Sequence, residues 1–158
     1  MMSGEIRSTK WMRALKLAAA AVLGLVVLGA CAHLMMMMRS GIERPPAEEF
    51  GFGPRSSAGG VYQATLEPAG ELGTRRMHSA KLVIRTGQAP VAGAAIQVDG
   101  GMPQHGHGLP TAPRVTRDLG NGEYQVDGLR FNMPGWWELK FRVASPAGTD
   151  SVTFNLAL

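Results

Sequence analysis

The sequence predicts an all-β protein: an immunoglobulin-like antiparallel β-sandwich of about seven strands, preceded by an N-terminal apolar membrane-targeting helix and a flexible linker. Three observations predict it. Apolar and polar residues alternate with a period of two in short runs along residues 60–158, the pattern of strands buried on one face. Clusters of Gly, Pro, Asn and Asp separate those runs and supply the turns. No helical period appears beyond the N-terminal apolar run, so the layers must be sheets.

The first segment, residues 1–38, reads as a signal sequence, a lipoprotein signal or a single transmembrane anchor. Leu17 to Met38 is apolar apart from His33, and Arg7, Lys10, Arg13 and Lys16 precede it. About 20 apolar residues span a bilayer, while Leu17 to Leu28 alone has signal-peptide dimensions. The basic flank stays in the cytoplasm and directs the chain beyond the apolar run outward. Leu28-Gly-Ala-Cys31 resembles a bacterial lipobox, which makes Cys31 a candidate lipidation site. The apolar continuation Ala-His-Leu-Met-Met-Met-Met fits an uncleaved span better. Either reading puts the rest of the chain in the bacterial cell envelope, tethered to the membrane and facing the periplasm or exterior.

Charge and cysteine usage narrow the classes. Up to Arg44 the chain has six basic and two acidic residues; beyond it there are ten of each. The entire net charge of +4 therefore belongs to the targeting end, and the high pI is no sign of nucleic acid binding. Cys31 is the only cysteine, so no intrachain disulfide forms and the core must hold by packing.

Residues 39–59 are rich in Gly, Pro, Ser and charge and read as a flexible linker. Met35 to Met38 read as membrane-embedded apolar side chains. The β domain then occupies 60–158. Tyr62, Ala64 and Leu66 share one face of a first strand; Ala80, Leu82 and Ile84 share one face of a second. Ala94, Ile96 and Val98 form a third. Val115 to Arg117 precedes the turn Asp118-Leu-Gly-Asn-Gly, whose residues tolerate positive φ, and Tyr124, Val126, Leu129 and Phe131 come after it. In Trp136 to Val143, Trp137, Leu139, Phe141 and Val143 make the buried face, leaving Trp136 with Glu138, Lys140 and Arg142 on the polar one. After Ser145-Pro-Ala-Gly-Thr, the last strand alternates Val152, Phe154, Leu156 and Leu158. The spacing Asp118-x-Gly120-x-Gly122-x-Tyr124 predicts a tyrosine corner, with the hydroxyl bonded back to the preceding turn.

Met102-Pro-Gln-His105-Gly-His107-Gly is the stretch that carries chemistry. It puts two of the chain's four histidines and a thioether into a Gly/Pro-rich turn at a strand end. On extended backbone, His-x-His projects both imidazoles to one side, where they can reach one ion. Thioether with imidazole suits copper better than magnesium or calcium. Candidate metal ligands are His105, His107, Met102 and Met133, the last from a Met-Pro-Gly turn that joins two late strands. Asp99 and His78 are outsiders. Structural zinc would use cysteine and calcium clustered carboxylates, and neither set is present. There is no Gly-x-Ser-x-Gly, phosphate loop or paired carboxylate motif, so the sequence predicts no enzyme.

Four segments also carry a family likeness: Gly87-Gln-Ala-Pro-Val-Ala-Gly-Ala, Asp99-Gly-Gly-Met-Pro-Gln-His-Gly-His, Gly122-Glu-Tyr and Phe131-Asn-Met-Pro-Gly-Trp-Trp-Glu-Leu. In this order they resemble the YtkA-like domain family, which overlaps with FixH-like envelope proteins. The resemblance spans roughly Gly60 to Leu158. It implies an extracytoplasmic β-sandwich, often membrane-tethered, and FixH-like members are associated with copper delivery during respiratory oxidase assembly. The functional expectation is thus a membrane-anchored copper-binding accessory or chaperone protein. The alternative is an immunoglobulin-like protein-interaction module of the envelope that binds a protein partner and no metal.

Overall fold

The computed structural model describes residues 43–158. The expected N-terminal apolar helix, Cys31 and Met35 to Met38 lie outside them. Among the described residues, no helix is long and apolar enough to cross a membrane. Ten strands succeed one another: β1 (Arg55–Ser56), β2 (Gln63–Pro68), β3 (Met77–Thr86), β4 (Ala89–Pro90), β5 (Ala95–Met102), β6 (His107–Gly108), β7 (Arg114–Gly120), β8 (Glu123–Arg130), β9 (Trp136–Ser145) and β10 (Gly148–Ala157). Three are two-residue pieces and seven are six to ten residues long.

One sheet runs β1-β2-β3-β8-β7, with β4 also paired to β3, and the other runs β10-β9-β5-β6; every strand pairing is antiparallel. The alternation anticipated from sequence sets their inner faces. Tyr62, Ala64, Leu66, Ala80, Leu82, Ile84, Tyr124 and Val126 line the first sheet. Trp137, Leu139, Phe141, Val143, Val152, Phe154 and Leu156 line the second, and the two sets form one core cluster. Each Val, Leu, Ile or Phe among them contributes roughly 1.5–3 kcal/mol on removal from water, and each Ala less.

Two local devices keep these faces in phase. Asn121 (φ 53°) and Gly122 (φ 74°) make the two-residue β7–β8 turn; consecutive positive φ values match the twist of a tight hairpin. Gly128 (φ 87°) is the extra residue of a bulge, since Ser79 pairs with Asp127 and His78 with Leu129. That bulge changes the alternation, so Val126, Leu129 and Phe131 are all buried.

The tyrosine expectation is corrected in its partner. The Tyr124 hydroxyl donates to the Val91 carbonyl at 2.7 Å and accepts from the Ala94 N–H at 2.9 Å. It therefore ties down the β4–β5 connection, while Asp118 bridges that connection and the hairpin by accepting from Gly93 and Gly120. Burial raises the Tyr124 pKa above its ordinary value.

The expected flexible linker is also different in its described part. A short 3-10 turn, Ala47–Glu49, leads to Phe50, which bridges to Asn155 on β10. The Gly51 N–H donates to the Asn155 carbonyl and the Ala58 N–H to that of Ser151, both at 2.9 Å. Between them, β1 pairs with β2. This strap covers the free edge of β10 and links the two sheets, hiding backbone groups that would otherwise template association. Asp150 on β10 completes it: the Ser57 hydroxyl and the N–H groups of Ser151, Gly59 and Val61 lower its carboxyl pKa to about 2.

Trp136 is buried because of the strap. It does lie on the outer face of β9, as the alternation requires, yet it is only 4 % exposed. Phe50 meets its ring edge-on at 6.5 Å between centroids, and its indole N–H donates to Asn155 Oδ1 at 2.9 Å. The Arg44 guanidinium lies 4.9 Å from the Phe50 ring centre, close enough for a cation–π contact.

Candidate metal site at one end of the sandwich

The loop after β5 is built for tight return. Pro103–His105 forms a 3-10 turn, Gly106 takes the left-handed conformation (φ 67°), and the chain comes back as β6 against Gly101 and Met102. A Cβ at Gly101 would lie 2.5 Å from the His107 carbonyl oxygen, so only glycine allows this approach. The backbone between the histidines is therefore not extended, as the His-x-His expectation assumed. The rings nevertheless end side by side, with centroids 5.9 Å apart and planes 28° apart, and both are exposed.

Met102 stands directly opposite His107 in the β5–β6 pairing, yet its side chain is buried in the core while both imidazoles are exposed. It is 2 % exposed and belongs to the core cluster. The reason is strand phase: Met102 stands on the face of β5 that carries Ile96 and Val98. Its methyl group closes against the neighbouring turn, where a Cβ at Gly135 would come within 2.7 Å of it.

Met133 does reach this end. Its turn, Phe131 to Gly135, joins β8 to β9, and the residue is 39 % exposed. Three contacts bring the turn and the His loop together. Met102 touches Gly135; the His107 ring meets Trp137 at 6.0 Å and 65°; and the Trp137 indole N–H donates to the Met133 carbonyl at 3.0 Å. The turn is also held by Leu158, since Gly135 and Leu158 exchange backbone hydrogen bonds of 2.7 and 3.1 Å.

The outsiders are engaged elsewhere. His78 Nε2 lies 2.7 Å from the Gly73 carbonyl, and its ring leans on Phe131. Asp99 accepts from the Gly100 N–H at 2.7 Å. Among the described residues, no three His, Cys, Asp or Glu side chains gather where they could hold one ion. The chemical offer at this end is therefore two imidazoles with a thioether on the adjoining turn. That set fits soft, low-coordinate Cu(I) and lacks the ligands of a structural zinc or calcium site. The sequence reading assigned Trp137 to the core alone. The signal for its contact with the Met133 turn is its place two residues beyond Met133-Pro-Gly135, because a buried indole N–H needs an acceptor and the preceding turn supplies one.

Fold and end geometry together define a small antiparallel β-sandwich that carries its exposed imidazoles and a thioether turn at one end. A family model described as YtkA-like matches residues 56–142, from β1 into β9 and across both loops of that end, and the chain belongs to the YtkA-like family. No curated protein and no solved structure matches it.

Proposed function

We propose that this chain is a membrane-anchored, extracytoplasmic copper-binding accessory or chaperone protein, a carrier and not a catalyst. His105 and His107 supply imidazole and Met133 supplies sulfur. One observation carries the reading: two exposed imidazoles stacked 5.9 Å apart, joined through Trp137 to a turn that exposes a thioether. Imidazole accepts either copper oxidation state and thioether favours Cu(I), so the set suits a protein that receives and releases copper. YtkA-like membership supports an extracytoplasmic β domain. The strand orders β2-β3-β8-β7 and β10-β9-β5 match the two sheets of an immunoglobulin constant-type sandwich. The basic flank and apolar run before Arg39 support the membrane anchor.

The test is competition of the full-length protein, in detergent, against a Cu(I) chelator. Replacing both His105 and His107 by Ala should abolish tight binding and leave the β-sheet circular dichroism unchanged. Affinity should also weaken as pH falls, because a protonated imidazole cannot ligate. Equal affinities for wild type and double variant would remove copper from these histidines. The envelope interaction module would then be favoured, a reading supported by the absence of a third His, Cys, Asp or Glu among the described residues at this end.

A further inference from the structure

We infer that Trp137 is a positioning residue for this site: it holds the Met133 turn against the His loop and so sets the preference for Cu(I) over Cu(II). The inference rests on the reading of His105, His107 and Met133 as ligands. Trp137 touches both loops at once. Its ring meets His107 at 6.0 Å and Phe131, where the Met133 turn begins, at 5.3 Å. Its N–H donates to the carbonyl of Met133 itself at 3.0 Å.

Core packing alone does not require that N–H. A phenylalanine would fill most of the same fully buried volume with no polar group to satisfy. The hydrogen bond goes instead to a residue that is 39 % exposed, in a turn tied at its far end to Leu158. The backbone of Met133 is thus fixed while the residue remains exposed. Both copper states use the imidazoles, but only Cu(I) gains strongly from a thioether. Loosening the turn should therefore weaken Cu(I) selectively.

Trp137→Phe in the full-length protein tests this, because it keeps an aromatic ring against His107 and removes the donor. Loss of an outer hydrogen bond of this kind should weaken Cu(I) binding about tenfold and change Cu(II) binding by less than about twofold. Met133→Leu should produce the same Cu(I) loss, and the double variant no more than either alone. Unchanged Cu(I) affinity, or equal losses for both oxidation states, would overturn the positioning role and leave the copper reading standing. If wild type and the double-His variant both fail to bind copper, that reading fails, and a metal-free measurement decides the role of Trp137. Nitrogen relaxation of the Met133 and Gly135 amides should then show a looser turn in Trp137→Phe; unchanged order overturns the inference. Should Trp137→Phe not fold, wild type still decides: Cu(I), and not Cu(II), should slow hydrogen exchange at the Trp137 indole, and unaltered exchange overturns it.

Discussion

Cutting Trp136 to alanine is expected to cost as much stability as cutting Trp137, although the two side chains point to opposite faces of β9. The structure supplies the magnitude. Trp136 is 4 % exposed, and removing a buried large aromatic costs about 3–5 kcal/mol. The same change leaves Asn155, itself 7 % exposed, without its indole donor, a penalty of about 1–3 kcal/mol that overlaps with the first figure. The strap is the cause of this burial, so Phe50→Ala should act through Trp136. Half-burial of a phenylalanine and one edge-on aromatic contact amount to about 2 kcal/mol. In a double-mutant cycle the two substitutions should be coupled by about 1 kcal/mol, because each removes what the other packs against. Urea unfolding of residues 44–158, monitored by far-ultraviolet circular dichroism, measures all four corners. A Phe50→Ala midpoint equal to that of wild type, or strict additivity, would refute the claim that the strap buries Trp136.

Three further outcomes are expected. The Asp150 pKa is lowered to about 2, first by the Ser57 hydroxyl. Its contribution is therefore complete above the unfolded carboxyl value of about 3.9 and lost as pH falls towards 2; Asp150→Asn should flatten the acid limb of stability against pH, and an identical limb would contradict the assignment. Gly122→Ala should destabilise by more than about 1 kcal/mol, since its φ is 74° and a Cβ would lie 2.5 Å from the Ile84 carbonyl; a thermal melt at the wild-type temperature would count against the turn geometry. If Cys31 is lipidated, mass spectrometry of protein from native membranes should find a chain that begins at Cys31 with added acyl mass, whereas an intact Met1 end means an uncleaved anchor.

Most of the sandwich was legible because its strands obey strict alternation. The inward sets Tyr62-Ala64-Leu66, Ala80-Leu82-Ile84 and Trp137-Leu139-Phe141-Val143 were readable by counting in twos, and all are buried. Even the step from Val126 to Leu129 has its mark in Gly128. What escaped was burial caused by residues far away in sequence. Trp136 has the right phase, but its cover comes from Phe50, inside a stretch whose Gly, Pro and Ser content resembles a free tether. Such composition reports low regular structure and says nothing of whether the backbone finds partners on β10.

At the candidate site, the burial of Met102 was legible by the same counting. Counting from Ile96 and Val98 through the two glycines puts it on the inward face. Ending the strand at Val98 leaves that count unfinished. His105 and His107 lie side by side through a left-handed glycine, whereas the sequence expectation rested on extended backbone. That the Met133 turn shares their end depends on how the two sheets stack, which no local pattern encodes.

The pairing of Leu158 with Gly135 bears on how the protein is best produced. A polyhistidine tail fused after Leu158 would emerge at the turn that presents Met133, adding foreign imidazoles next to His105 and His107. Metal stoichiometry measured on such material would mix the tail with the native ligands. The extension would also strain the two hydrogen bonds that close the turn. An affinity handle carrying no metal-binding residue, set in the exposed Pro146-Ala147 turn at the opposite end of β9, avoids both effects.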